Sequence, residues 1–189
     1  MFPLSNEDRR ALLQIARRAI SIAVIEKSIL DLPPHRVTLL APGGAFVTLH
    51  RGGRLRGCVG HVQSQSSLVD TVARAAISAA LHDPRFPPVT AEEITSLEIE
   101  ISILSALERV APESILVGIH GLMVVKGESR GLLLPQVAVE RGWASQRFLE
   151  ETCVKAGLPE HAWREPSMSI FAFTAEVFSE STVHAAVES

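Results

Sequence analysis

The chain has 189 residues, 47% of them hydrophobic, which is enough for one domain to bury a core without covalent staples. A formal net charge of −3 offers no basic excess to release counterions from a phosphate backbone, which argues against a nucleic-acid partner. No run nears the roughly 18 consecutive apolar residues of a membrane span, and two widely separated cysteines fit free thiols in a reducing compartment.

Met1-Phe2-Pro3-Leu4-Ser5 has neither the basic nor the apolar region of a secretory signal, so a soluble, cytoplasmic protein is expected. Ser5 is a suitable helix N-cap, with Glu7 and Asp8 in the first turn. Leu12, Ile15, Ala16, Ala19, Ile20 and Ala23 recur at three- and four-residue steps, so a long amphipathic helix is expected over residues 5–30, before Pro33-Pro34. Arg9, Arg10, Arg17 and Arg18 lie largely off that stripe and read as a solvated face rather than an anionic docking face.

From Val37 the period changes. Val37–Leu40 reads as a short strand and Pro42-Gly43-Gly44 as a turn. Ala45–His50 and Leu55–Val62 are strands joined by a hairpin turn at Arg51-Gly52-Gly53-Arg54. Ser67 caps a helix whose buried face, with Ala75, Ala76, Ala79 and Ala80, is mostly alanine, so its backbone must lie close to what it covers. Pro84 ends that helix, and Thr90-Ala91-Glu92-Glu93 is a capping box opening a short one. Leu97–Leu104 alternates apolar residues with Glu98, Glu100 and Ser102 and predicts a half-buried strand. The two glutamates read either as a carboxylate pair or as a solvated strand face.

The second half repeats this order. Gly121–Lys126 and Gly131–Leu134 are strands around a turn at residues 127–130, and Pro135 leads into helical sequence. Ser145 caps a helix with Phe148, Leu149, Thr152, Cys153 and Ala156 inward, closed by Gly157 and Pro159. Ser169–Phe178 is expected as one strand with Phe171, Phe173, Ala175 and Val177 on one side. A hairpin with glycine and arginine recurs at 45–60 and 121–134, so an internal duplication is expected, with repeats at about 37–104 and 115–178 inside a single domain. Antiparallel hairpins with helices indicate an α+β fold.

The chemistry centres on Leu55-Arg56-Gly57-Cys58-Val59-Gly60. Two glycines around a cysteine in a strand imply a bare backbone, for a bulge, a close neighbour or a ligand. Alternation puts Arg56, Cys58 and Gly60 on one face, where Arg56 could stabilise a Cys58 thiolate. The alternative is a small buried hydrophobe. Cys58 and His61 look like half a zinc site, but their spacing sends them to opposite faces and no second ligand pair follows, so no metal is expected. Asp83 and Arg85 could face a cleft or brace each other in a turn. His120, before a strand, is the candidate general acid or base by titration range, against a solvated strand-end histidine. Cys153 reads as core, Trp143 and Trp163 as packing anchors. No nucleotide-binding fingerprint, nucleophile elbow or HExxH is present, and no cofactor is expected.

The LRGCVG hexapeptide, Asp83-Pro84-Arg85-Phe86-Pro87-Pro88, Leu97–Leu104, His120-Gly121-Leu122, Leu133–Ala138 and Cys153–Leu158 with Trp163 resemble, in order, the AMMECR-one domain family, also called AmmeMemoRadiSam system protein A. Departures are small: Val59 replaces the usual isoleucine, and His61 stands where threonine is common. The resemblance implies two duplicated β-rich repeats in one barrel-like, mainly antiparallel sheet flanked by helices. It also implies partnership with a Memo-like protein and a radical-SAM protein, and no established reaction. Two functional readings follow. In one, Cys58, Arg56 and His120 serve thiol-dependent chemistry or an anionic small molecule, with Gly57, Gly60, Asp83 and Arg85 binding it. In the other, the hexapeptide strand is the docking surface of a non-catalytic interaction module.

Overall fold

The computed structural model describes residues 4–28 and 37–185. They fall into two compact units, one from the chain up to Leu104 and again from Glu176, the other from Ser105 to Ala175. Among the described residues the strands are β1 (Gly44–Arg51), β2 (Arg54–His61), β3 (Leu97–Leu104), β4 (Glu108–Arg109), β5 (Gly121–Lys126), β6 (Ser129–Leu133), β7 (Ser169–Phe173) and β8 (Ala175–Ser179). The α+β class and the antiparallel pairing are those expected, and the pairing divides the strands into two sheets of four. No helix among these residues is long and apolar enough to cross a membrane.

In the first unit, α1 (Asn6–Ser21) starts at a reciprocal capping box. Ser5 Oγ accepts the Asp8 N–H at 3.1 Å, and the Asp8 carboxylate accepts the Ser5 N–H at 3.2 Å. The helix runs on as one π turn, Ile22–Glu26, and stops at Lys27 with φ of 52°. Its expected end near Leu30 and Pro33-Pro34 lies outside the described residues. Leu12, Ile15, Ala16, Ala19 and Ile20 are buried, as their spacing required. The arginine face is less simple than a solvated one. Arg9 Nε donates to Glu176 at 2.7 Å, and Arg17 donates twice to Glu180, at 2.5 and 2.6 Å, and also to the Ile94 and Leu97 carbonyls. Both carboxylates come from the far end of the chain, which helical periodicity cannot reveal.

Val37–Leu40 is a helical turn, α2, and not a strand. Three apolar residues in four fit one turn as well as a strand, and Leu39 reaches the core while Leu40 is exposed. The β1–β2 hairpin turns through Gly52 and Gly53, at φ of 56° and 73°, as a two-residue hairpin turn demands. His50 lies opposite Leu55 and Leu49 opposite Gly57, so Arg56 is an extra residue in a β-bulge. β3 pairs with the other side of β1, and the sheet order is β2-β1-β3-β8. Across it lies α3 (Leu68–Leu81), started by Ser67, whose Oγ accepts the Asp70 N–H at 3.1 Å. A Cβ at Gly57 would sit 2.2 Å from the Ala79 carbonyl oxygen. The alanine face therefore lets helix backbone rest directly on strand backbone.

In the second unit the order is β4-β7-β5-β6, with α4 (Pro135–Glu140) and α5 (Ser145–Lys155) between β6 and β7. The hairpin turn is tighter than expected, because β6 already begins at Ser129. The α5 N-cap is Ala144 without a side-chain bond, so Ser145 does not cap it. Phe148, Leu149, Thr152 and Cys153 are buried, and Gly157 follows at φ of 73°.

The two sheets share one plan. Each hairpin's exit strand (β2, β6) is an edge, its entry strand lies inside, and the post-helical strand (β3, β7) comes next. Gly131, opposite Val124, repeats Gly57: a Cβ there would lie 2.4 Å from Ala156 N and 2.6 Å from Thr152 O, in and just after α5. The fourth strands are exchanged. β4 follows β3 into the second sheet, and β8 follows β7 into the first. This is why Ser169–Phe178 is two strands and not one. Ile170, Ala172 and Phe178 are buried while Val177 is 40% exposed, so the expected single face breaks at Thr174.

Gly57→Ala and Gly131→Ala are each expected to lower unfolding free energy by about 2–3 kcal/mol, since helix backbone cannot yield to a methyl group. Gly53→Asn, in open space and in a conformation asparagine tolerates, should cost less than about 1 kcal/mol. Urea unfolding midpoints at constant m-value measure the difference.

Candidate functional site

Register places the hexapeptide's side chains. Leu49, Gly57 and Ile99 lie on the buried face of the first sheet, so their neighbours Thr48, Cys58 and Glu100 lie in one row on the other face. His50 and Glu98 form the next row. Thr48, His50, Cys58, Glu98 and Glu100 are all partly accessible. Thr48 Oγ1 donates to Cys58 Sγ at 3.3 Å, and Glu98 accepts from Ser181 Oγ at 2.6 Å.

β2 is an edge strand, and the Asp83–Arg85 turn closes its edge at Cys58. Asp83 Oδ2 accepts the Cys58 N–H at 2.8 Å, and Arg85 Nη2 donates to the Cys58 carbonyl at 3.3 Å. The same guanidinium bonds both Asp83 oxygens, at 2.9 and 2.7 Å. Asp83 is buried, yet the hydrogen bonds from Arg85, joined by those from two backbone N–H groups, outweigh desolvation and hold its pKa well below the usual carboxylate range. Asp83 in turn raises the Arg85 pKa, with a smaller contribution from Cys58. So Asp83 and Arg85 do brace each other, and they also brace the strand. Half of the Arg85 side chain stays exposed.

Arg56 is placed differently from the expectation. The bulge interrupts the alternation, and Arg56 turns to Glu93, donating through Nε and Nη2 at 2.9 Å each, and to the carbonyls of Pro87 at 2.9 Å and Pro88 at 3.3 Å. Glu93 also accepts from Arg51 at 2.8 Å and from the Thr90 N–H at 3.0 Å, and its pKa falls to about 2, chiefly through Arg56. The cation beside Cys58 is thus Arg85, and Arg56 is the clasp that holds Pro87-Pro88 and the Glu93 turn to β2. The glycines admit protein: Ala79 backbone at Gly57, and at Gly60 the Phe46 ring, 2.4 Å from where a Cβ would stand.

His120 belongs to the second unit. Its Nδ1 accepts the Leu116 N–H at 3.2 Å, and it lines a cavity of about 240 Å³ with Glu108, Val110, Ser114 and Phe173. Cys153 is core, its thiol pKa raised by burial. No group of three or more His, Cys, Asp or Glu among the described residues is arranged to hold a metal. Thr48 and Glu93 are the residues in contact with Cys58 and Arg56 that sequence reasoning does not single out. Glu93 was visible only as a cap, and Thr48 becomes a neighbour only through the bulged register.

A family model described as AMMECR1 matches residues 13–178. A protein of Methanothermobacter thermautotrophicus is 43% identical over 94% of this chain and 97% of its own length. Protein TK0174 of Thermococcus kodakarensis is 42% identical over 95% and 94%. The crystal structure of the uncharacterized protein PH0010 from Pyrococcus horikoshii superposes with a TM-score of 0.86 at 41% identity, covering 92% of each chain.

A carboxylate whose pKa is lower folded than unfolded contributes stability above its unfolded pKa and loses it as pH falls through the folded value. For Glu93 that window runs from 4.5 down to about 2, and Asp83 extends it lower. Unfolding free energy is therefore expected to be level near neutral pH and to drop through that window. Glu93→Gln should remove about 1–3 kcal/mol at pH 7 and flatten the acid decline, measured by urea unfolding across pH.

Proposed function

The chain belongs to the AMMECR1 family, and on that footing we propose that it is the thiol-bearing component of a small enzymatic system. A Memo-like protein and a radical-SAM protein would be its partners, and an anionic small molecule its ligand. The observation that carries this reading is the surrounding of Cys58. Its backbone is clamped at both N–H and C=O, while its sulfur stays partly accessible and accepts a hydrogen bond from Thr48. A fixed donor to the sulfur and a nearby guanidinium are partners for negative charge that develops on the sulfur in a nucleophilic step. The exposed part of Arg85 offers an anionic substrate a positive partner beside that sulfur. Arg56 serves this site as a positioning residue, through Glu93. His120 belongs to the second unit.

The alternative, a non-catalytic module that docks a partner strand on residues 55–60, has less support. Strand addition needs free edge groups, and at Cys58 both are taken by Asp83 and Arg85.

Iodoacetamide at neutral pH tests the proposal, with Cys153 as a buried reference thiol in the same molecule. Peptide mass mapping should find Cys58 alkylated first, and Thr48→Val and Arg85→Gln should together slow it by about tenfold. Alkylation of Cys58 no faster than that of Cys153 would rule out thiol chemistry at this site.

A further inference from the structure

The second unit holds a cavity of its own. Its cavity, about 240 Å³, is lined entirely by residues between Ser105 and Thr174. The floor is apolar and fixed: Phe173 is buried, and its ring lies over Gly121, where a Cβ would be 2.3 Å from Cζ. Ala172 and Val110 continue that surface. One wall is tied by paired bonds between Ser105 and Thr174. The Ser105 N–H meets the Thr174 carbonyl at 2.9 Å, and the Thr174 N–H meets Ser105 Oγ at 2.9 Å.

Two polar groups on this cavity have a defined sense. His120 is held by a reciprocal pair with Leu116: its Nδ1 accepts the Leu116 N–H at 3.2 Å, and its own N–H donates to the Leu116 carbonyl at 2.9 Å. With the Nδ1 lone pair used, the neutral imidazole carries its proton on Nε2 and can only donate there. Glu108, on the edge strand β4, is exposed and, as a carboxylate, can only accept. The cavity therefore combines one neutral donor, one negative acceptor and an apolar floor. Its volume is just below the roughly 300–1,000 Å³ of pockets for drug-sized ligands, which suits an amino-acid-sized molecule and not a nucleotide.

We propose that this cavity binds a small zwitterion, with a carboxylate or carbonyl received by His120, a protonated amine received by Glu108, and an apolar body over Phe173. Its charge preference differs from that proposed for Cys58. Glu108 repels a ligand that is only anionic, whereas Arg85 attracts one.

The test is titration of the full chain, followed by NMR, with L-phenylalanine and two analogues that each keep one polar group, phenethylamine and 3-phenylpropionate. L-phenylalanine should bind more tightly than either analogue. Losing one charge-assisted hydrogen bond should weaken binding about tenfold. Glu108→Gln should thus weaken L-phenylalanine and phenethylamine and leave 3-phenylpropionate unharmed. His120→Gln should weaken L-phenylalanine and 3-phenylpropionate. Glu108 is exposed, so its variant keeps the test valid even if His120→Gln disturbs the 116–120 turn. No binding by any of the three at millimolar concentration would overturn the proposal. So would L-phenylalanine affinity that Glu108→Gln leaves unchanged, or 3-phenylpropionate binding more tightly than L-phenylalanine.

Discussion

The first unit depends on how the outer edge of β2 is closed. An edge strand presents unpaired N–H and C=O groups, and proteins must cover or blunt them. Here Asp83 and Arg85 supply one acceptor and one donor to a single residue, Cys58, and bond each other doubly. A buried carboxylate is tolerable only with such partners. The strap that carries them is anchored a second time, by Arg56 on the carbonyls of Pro87 and Pro88. Proline carbonyls suit this task, since proline leaves no N–H of its own to satisfy. Two motifs separate in sequence are thus one structural device, a strand and the strap that seals it.

Comparison of the two sheets separates the part of this device that is scaffold from the part that is not. Gly57 and Gly131 are equivalent: both lie on the edge strand of a hairpin, both face helix backbone, and both follow an arginine. Close strand–helix packing is therefore common to both sheets. One residue further along, the pairs diverge. Thr48 faces Cys58 in the first sheet, while Met123 faces Leu132 in the second. The polar pair belongs to the first sheet and not to the second, on a backbone plan common to both.

Local signals in the sequence carried far, and tertiary pairing set their limit. The strands at 97–104 and 121–126 and the glycine turns were legible because alternation and positive φ are local properties. The alanine face of α3 also announced close packing, which Gly57 accommodates. What failed was non-local. The break at Thr174 depends on which sheet each half of the stretch joins, and the roles of Arg9 and Arg17 depend on carboxylates more than 160 residues away. At the candidate site, one bulged residue was enough to misassign Arg56, since a shift of one in a strand moves a side chain to the other face. The glycines were legible as places needing bare backbone, but whether ligand or protein filled the space could not be read from spacing.

Within the hexapeptide, roles now divide by residue. Arg56 holds the strap and Glu93, Gly57 admits α3, Val59 packs against the core, and Gly60 seats the Phe46 ring. Leu55, 41% exposed, and Cys58 have side chains on the open face instead. For Cys58, main-chain clamping and side-chain freedom coincide. Packing would be served as well by many small residues whose N–H and C=O could take the same two bonds, because those bonds do not involve the side chain. The hydrogen bond from Thr48, by contrast, requires sulfur or a like acceptor at this position. Its backbone is fixed, its side chain accepts from Thr48, and its neighbour is a half-exposed arginine. That is the physical ground for the proposal made for Cys58, while Arg56, which sequence alternation sets beside it, holds the strap and Glu93.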